Sequence, residues 1–164
     1  MPFTSGQRIA GIFAWFSLCI ACFLIYAILY AFRSTGDDRW LDIMARPAWA
    51  PDLTRTIYIW LSVQLLQAAA VWHVWIQREE PIARLAVRFF VAANAMSVLA
   101  MVILLVFLNP YCAAIQFVVA WLAYMATLAL FWQRSHFAGL LLLPVFLWTT
   151  CSAYLNFSIW QMNP

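Results

Sequence analysis

Residues 47–51, Pro47-Ala48-Trp49-Ala50-Pro51, lie at the centre of the one long polar connection in an otherwise hydrophobic chain, residues 37–55. Two prolines within five residues fix the backbone angle φ and remove two backbone donors, so the segment cannot continue a helix. It should instead hold Trp49 on a stiffened, extended stretch of chain. A connection of this kind predicts a lid over a site that the rest of the chain builds.

The composition around this connection is that of a membrane protein. Hydrophobic residues make up 67% of the chain, charged residues 9%, and the mean hydropathy is +0.88. Soluble domains contain roughly 45–50% apolar and about 25% charged residues. The composition therefore predicts an integral, multi-pass membrane protein with the lipid bilayer as a partner, and it excludes a nucleic-acid-binding protein. Which membrane it enters is left open.

Apolar stretches take up nearly the whole chain and predict an all-α, five-transmembrane-helix bundle. Each crossing needs roughly 20 residues, so the 164 residues predict one transmembrane domain over residues 1–164. The connections after the second, third and fourth spans are short, which predicts antiparallel neighbours. The first connection, residues 33–55, is the lid loop. The five predicted spans are residues 11–32, 56–76, 85–108, 111–132 and 137–160.

Catalytic and metal-binding patterns are scarce. All six acidic residues lie in the first loop or in the turn at Glu79 and Glu80, so no carboxylate lies inside a span where burial would tune it for proton transfer. Cys19 and Cys22 form a C-x-x-C pair, but no second pair completes a tetrahedral metal site. We therefore predict no enzyme activity and no metal site.

Polar and aromatic residues inside the spans predict a small-molecule pocket. A side-chain amide inside a membrane span needs hydrogen-bond partners that lipid does not supply, so Asn94 and Asn156 should face the bundle interior. Trp60 and Trp148 lie deep enough to form flat apolar walls with Trp49 on the lid, and such walls with a few polar groups are usual in ligand sites. One face of the fifth span, either packed core or pocket wall, carries Trp148, Ser152, Leu155, Asn156 and Ile159.

Three motifs in order resemble those of a known family. The lid, with Trp40 upstream of Pro47 and Pro51, resembles a W…(K/R)PxWxPP segment, and residues 142–163 are similar to a fifth-helix motif, LLxPYxxWxxxAxxLNxxxWxxN. Asn94 fits the asparagine of the third helix. The chain is identified by these motifs as a divergent member of the TspO/MBR family of tryptophan-rich sensory and translocator proteins.

The resemblance implies a five-helix bundle with a lid, often a homodimer, that binds protoporphyrin, haem or other lipophilic ligands. It also shows departures, because Asp52, Gln64, Ser97 and Val145 replace a proline, a tyrosine, a tryptophan and a tyrosine of the family pattern. The ligand-binding residues that we predict are Trp49, Trp60, Asn94, Trp148, Ser152, Leu155 and Asn156.

Three hypotheses about function follow. The first is a non-enzymatic binding protein for a tetrapyrrole or similar planar lipophile, acting in transport, buffering or sensing, with no required cofactor. In it, Arg39, Arg46 and Arg55 on the lid loop pair with ligand propionates. The alternative, that these charges are solvated and contact lipid headgroups, explains them at least as well. The second is an accessory subunit of a larger membrane assembly with a degenerate pocket. The third, light-dependent porphyrin degradation, lacks a proton-transfer group in the spans.

Overall fold

The computed structural model describes residues 4–35 and 44–163, and these form five α-helices with no strand among them. Each helix is long and apolar enough to cross a membrane. The prediction of an all-α, five-span membrane bundle is confirmed. The helices are α1 (Ser5–Thr35), α2 (Leu53–Trp75), α3 (Pro81–Leu105), α4 (Pro110–Arg134) and α5 (His136–Met162).

Side-chain caps and prolines define where four of the helices begin. Asp52, Asn109 and Ser135 each accept a hydrogen bond from the backbone N–H three residues later, at the starts of α2, α4 and α5. These caps satisfy donors that a helix start leaves unpaired. Pro81 and Pro110 occupy first helical positions, where the missing N–H costs nothing. Each helix can therefore begin directly after its turn.

The end of α3 differs from its predicted span, which ran to residue 108. The helix ends at Leu105, and Leu108 takes a φ of 53°, in the left-handed region that side chains rarely adopt. Arg33 of α1 binds this end: its Nε donates to the Leu105 carbonyl at 2.5 Å and its Nη2 to the Val106 carbonyl at 3.2 Å. These bonds satisfy carbonyls that the end of α3 leaves without intrahelical partners.

The five helices close into a ring in the order α1, α2, α5, α4, α3, and α2 also contacts α3 across the centre. Buried alanines, among them Ala70, Ala93 and Ala120, let neighbouring helices approach closely. Phe90, Phe117 and Phe131 fill the remaining interior. The described part of the lid connection, residues 44–52, lies against one end of this ring.

Close approach at the α4–α5 hairpin predicts a measurable cost for a single methyl group. A Cβ atom at Gly139 would lie 2.5 Å from Cε3 of Trp132 and 3.2 Å from its Cα. We expect Gly139→Ala to lower the free energy of unfolding by about 1–3 kcal/mol through overpacking, measured by denaturant titration in detergent. Gly6→Ala is the control, since a Cβ at Gly6 meets no atom within 4 Å. Equal stability of the two variants would contradict the predicted clash.

Candidate functional site

A cavity lies beneath the lid, between the lid segment and the ends of α1, α2, α3 and α5. Its volume is about 90 Å³. Helices from four positions in the ring contribute to it, so the site forms only when the bundle is assembled. Its walls are formed by Tyr26, Tyr30, Met44, Arg46, Ala50, Pro51, Thr56, Trp60, Met101, Leu104, Leu105, Trp148, Ser152, Leu155, Asn156 and Ile159.

Aromatic rings form a continuous wall on one side of the cavity. Trp60 of α2 meets Trp148 of α5 edge to face, with ring centroids 6.4 Å apart and planes at 66°. On its other side, Trp60 packs against Tyr26 of α1 at 5.3 Å and 34°. Rings that hold one another in place lose little conformational freedom when a flat ligand contacts them. The wall therefore suits a planar apolar molecule.

Four buried polar atoms on the cavity-lining residues have no hydrogen-bond partner within the described part of the chain. Three are donors: Nε of Arg46, Nε1 of Trp60 and Nε1 of Trp148. The fourth is an acceptor, Oδ1 of Asn156, whose Nδ2 donates to the Ser152 carbonyl at 2.8 Å. A buried polar group without a partner costs about 1–3 kcal/mol. These atoms are therefore a ready set of contacts for a ligand that carries acceptors and a donor.

The lid is held to the end of α5 by a pair of hydrogen bonds. The backbone N–H of Ala45 donates to Oδ1 of Asn163 at 3.0 Å, and Nδ2 of Asn163 donates back to the Ala45 carbonyl at 3.0 Å. Within the lid, the N–H of Ala50 donates to the Pro47 carbonyl and closes a turn. Met44 is buried against the apolar ends of α3, α4 and α5. The lid segment is thus latched at residue 45.

The chain matches the profile of a known protein family over most of its length. The profile of the TspO/MBR family matches residues 16–161, which cover α2, α3 and α4 in full and most of α1 and α5. This chain belongs to the TspO/MBR family. The resemblance that the motifs suggested is confirmed, and the chain is an integral, multi-pass membrane protein of this sensory and binding family.

Individual relatives match the chain at moderate identity. The protein CrtK of Rhodobacter capsulatus is 28% identical over 126 residues, which span 76% of this chain and 79% of CrtK. A tryptophan-rich sensory protein of Cereibacter sphaeroides is 29% identical over 126 residues, 77% of this chain and 78% of that protein. The tryptophan-rich protein TspO of Chlorobaculum tepidum is 36% identical over 56 residues, 34% of this chain and 35% of that protein.

Five of the residues predicted for the TspO/MBR ligand site line the cavity together. They are Trp60, Trp148, Ser152, Leu155 and Asn156. Of the lid residues, Arg46 and Pro51 also line it, whereas Pro47 closes the lid turn. Arg39 and Trp40 lie outside the described residues.

The structure places Trp49 elsewhere than the TspO/MBR motif led us to expect. Its side chain is 50% exposed and stacks on Tyr154 of α5, with ring centroids 5.2 Å apart and planes at 17°. Tyr154 lies on the outer face of α5, so this stack holds the Trp49 ring outside the cavity wall. Arg55 also lies away from the cavity, since its exposed side chain pairs with Asp52 at 3.2 Å. Our placement of these two residues is corrected accordingly.

Asn94 faces the interior as predicted, but it lines a different space. It is buried, its Oδ1 accepts a hydrogen bond from Nε2 of Gln67 at 3.1 Å, and its Nδ2 donates to the Phe90 carbonyl at 3.0 Å. Both ends of the amide are therefore engaged away from the main cavity. Asn94 belongs to a polar cluster that lies deeper in the TspO/MBR bundle.

Sequence reasoning missed the contribution of α1 to the site. Tyr26 and Tyr30 line the cavity and lie 5.9 Å apart between ring centroids. Their spacing of four residues puts them on one helix face, and two tyrosines on one face of an apolar span were the signal that could have identified them. Met44, Met101, Leu104 and Leu105 give no comparable signal, because apolar residues are present on every face of the spans.

The latch at Asn163 yields a testable expectation for the TspO/MBR lid. Asn163→Ala removes both hydrogen bonds to Ala45, so local opening of residues 44–51 should become about tenfold more frequent, equivalent to about 1.4 kcal/mol. Hydrogen–deuterium exchange of this segment in detergent measures the change. Gln161→Ala is the matched control, because Gln161 is exposed on the same helix end. Unchanged exchange in the Asn163 variant would show that other contacts hold the lid.

Proposed function

We propose that this TspO/MBR protein binds a tetrapyrrole, such as haem or protoporphyrin, or a similar planar lipophile, in transport, buffering or sensing. The observation that carries the proposal is the coincidence, in one cavity under a latched lid, of an aromatic wall and four unpartnered buried polar atoms.

The polar atoms suit the chemistry of an acidic, planar ligand. Arg46 lies at the lid edge of the cavity, where its guanidinium could pair with a ligand carboxylate in a charge-assisted hydrogen bond. The indole N–H groups of Trp60 and Trp148 would donate to further acceptors on the ligand edge, and Oδ1 of Asn156 would accept from an N–H. A flat ring system between these groups would contact the aromatic wall.

The size of the cavity requires the lid to move before such a ligand enters. A volume of about 90 Å³ is below the roughly 300–1,000 Å³ of typical ligand pockets. The latch at Asn163 and the stack of Trp49 on Tyr154 are contacts that can break without disturbing the helix packing. We therefore propose that the described state is closed and that binding occurs when the lid swings outward.

A comparison of two ligands tests the proposal. Purified protein in detergent is titrated with protoporphyrin IX and with its dimethyl ester, in which both propionates are neutralised, and binding is followed by tryptophan quenching. The wild type should prefer the free acid by about tenfold, equivalent to about 1.4 kcal/mol for a charge-assisted bond. Arg46→Gln should lose this preference. Arg55→Gln should keep it, because Arg55 lies outside the cavity wall.

The outcomes separate the parts of the proposal. If neither porphyrin quenches tryptophan fluorescence, the tetrapyrrole proposal is wrong. If both porphyrins bind but Arg46→Gln does not change the preference for the free acid, the ligand class is supported and the pairing of Arg46 with a propionate is wrong.

We propose further that the protein acts on its ligand by binding alone, without enzymatic chemistry or a required cofactor, and that it works in the bilayer as a homodimer or within a membrane complex. Illumination of the bound porphyrin tests the first part, since a time-dependent loss of ligand absorbance would contradict it.

The small closed volume of the cavity favours the second hypothesis, an accessory subunit with a degenerate pocket. Purification in mild detergent discriminates, because an accessory subunit should co-purify with stoichiometric partners and without pigment.

A further inference from the structure

A second, smaller space lies behind the ring of Trp60, deeper in the bundle than the main cavity. We call it the inner pocket, and its volume is about 20 Å³. Trp60 lines both spaces, so its indole is the partition between them. The inner pocket is lined by Cys22, Trp60, Val63, Gln64, Gln67, Asn94, Ser97, Val98, Tyr124 and Thr149.

A hydrogen-bonded cluster occupies one wall of the inner pocket, with Gln67 at its centre. Nε2 of Gln67 donates to Oε1 of Gln64 and, at 3.1 Å, to Oδ1 of Asn94. Oε1 of Gln67 accepts from the hydroxyl of Tyr124 at 3.1 Å. The cluster therefore joins α2, α3 and α4, and it uses both donors of the Gln67 amide.

One donor of the cluster is left over. The amide nitrogen of Gln64 donates no hydrogen bond within the described part of the chain, although the side chain of Gln64 is only 3% exposed and lines the inner pocket. This nitrogen is not one of the fully enclosed, unpartnered atoms of the described residues, so it is open to the inner pocket. A donor inside a protein that lacks an acceptor costs about 1–3 kcal/mol. A group that accepts from Gln64 would remove this cost.

The volume and charge of the inner pocket limit what that group can be. A polar cavity needs about 10–15 Å³ to hold one water molecule, so about 20 Å³ admits one group of that size. No charged side chain lines the inner pocket among the described residues, and an ion there would lack a counter-charge. The small side chain of Ser97, which is buried on the wall, leaves this space open.

We propose that the inner pocket is a binding subsite for one small, uncharged hydrogen-bonding group that accepts from the amide of Gln64. The group is either an ordered water molecule or a hydroxyl or carbonyl at the end of a bound ligand that reaches past Trp60. Only the second source rests on the proposed function. In both cases the occupant completes the cluster that joins α2, α3 and α4.

Crystal structures at a resolution that shows ordered waters test the subsite. Wild-type protein without added ligand should show a density peak within hydrogen-bonding distance of Nε2 of Gln64. Ser97→Val should lose the peak by filling the space, whereas Ser97→Ala, which keeps the space, should retain it. If Ser97→Val does not fold, Gln64→Leu replaces it and should also lose the peak because the donor is gone.

Crystals of the wild type grown with protoporphyrin IX distinguish the two sources. An isolated peak in both crystals identifies water, and density continuous with the porphyrin identifies a ligand group. Absence of density in both wild-type crystals, or a peak that survives in the space-filling variant, would overturn the proposal. Failure of protoporphyrin to bind would leave the water arm of the test intact and would count against the proposed function alone.

Discussion

Replacing Trp148 by alanine should weaken protoporphyrin binding by about 30-fold, or about 2 kcal/mol, because stacking of a flat ring on an aromatic side chain contributes about 1–3 kcal/mol. Trp148 lines the cavity and braces Trp60 edge to face, so the substitution removes one wall and loosens the other. Titration of the detergent-solubilised variant, followed by porphyrin absorbance, measures the loss without depending on the number of remaining tryptophans.

The same substitution at Trp121 provides the matched control. Trp121 of α4 lies away from the cavity, where its Nε1 donates to the Thr150 hydroxyl at 2.8 Å and its ring stacks on Phe146. Trp121→Ala should leave binding within about twofold, a change below 0.5 kcal/mol. Trp148→Phe keeps an aromatic wall and should bind between the wild type and the alanine variant. Equal affinities of the two alanine variants would remove Trp148 from the site.

Gln67→Leu should have the largest effect on stability, a loss of about 2–4 kcal/mol in the free energy of unfolding. It removes the centre of the buried cluster and leaves Gln64, Asn94 and the Tyr124 hydroxyl without their shared partner. Each buried polar group left unpaired costs about 1–3 kcal/mol. Denaturant titration in detergent, followed by circular dichroism, measures the change.

A glutamine outside the cluster serves as the comparison. Gln116 of α4 is half-buried and, among the described residues, donates only to the carbonyl and sulfur of Met96. Gln116→Leu should therefore cost less than about 1 kcal/mol, in the range of single interhelical hydrogen bonds in membranes. If the two variants lose similar stability, the cluster around Gln67 contributes no more to the free energy of unfolding than a single interhelical hydrogen bond.

The fifth helix was predictable residue by residue, because one helical period decides which side chains share a face. Trp148, Ser152, Leu155, Asn156 and Ile159 were grouped by spacing alone, and all five line the cavity. The five spans were predictable for a related reason, since long uncharged stretches leave little choice but to cross a bilayer. The ends of α1 and α3 shifted by several residues, because local features rather than hydropathy decide these boundaries: the Thr4 side chain caps α1, Pro81 starts α3 and Arg33 binds its end.

The direction of the lid tryptophan was not predictable in the same way. The prolines indicate a stiff loop, but the ring of Trp49 points where Tyr154 offers a stacking partner, and that partner lies more than a hundred residues away in the chain. Asn94 is a similar case. Its inward position follows from hydropathy, but the rotation of α3 against Gln67 of α2 decides which of two neighbouring spaces it lines.

The clamp of Arg33 on the end of α3 has a consequence for the order of assembly. Arg33 precedes Leu105 by 72 residues and Val106 by 73 residues. The chain therefore makes α1 well before the carbonyls that Arg33 binds. Until α3 is complete, the lid end of α1 lacks these two hydrogen bonds, although Tyr26 can already pack on Trp60 of α2. The cavity also needs walls from α5, the last helix to be made, so the site can be complete only after the whole bundle has been synthesised.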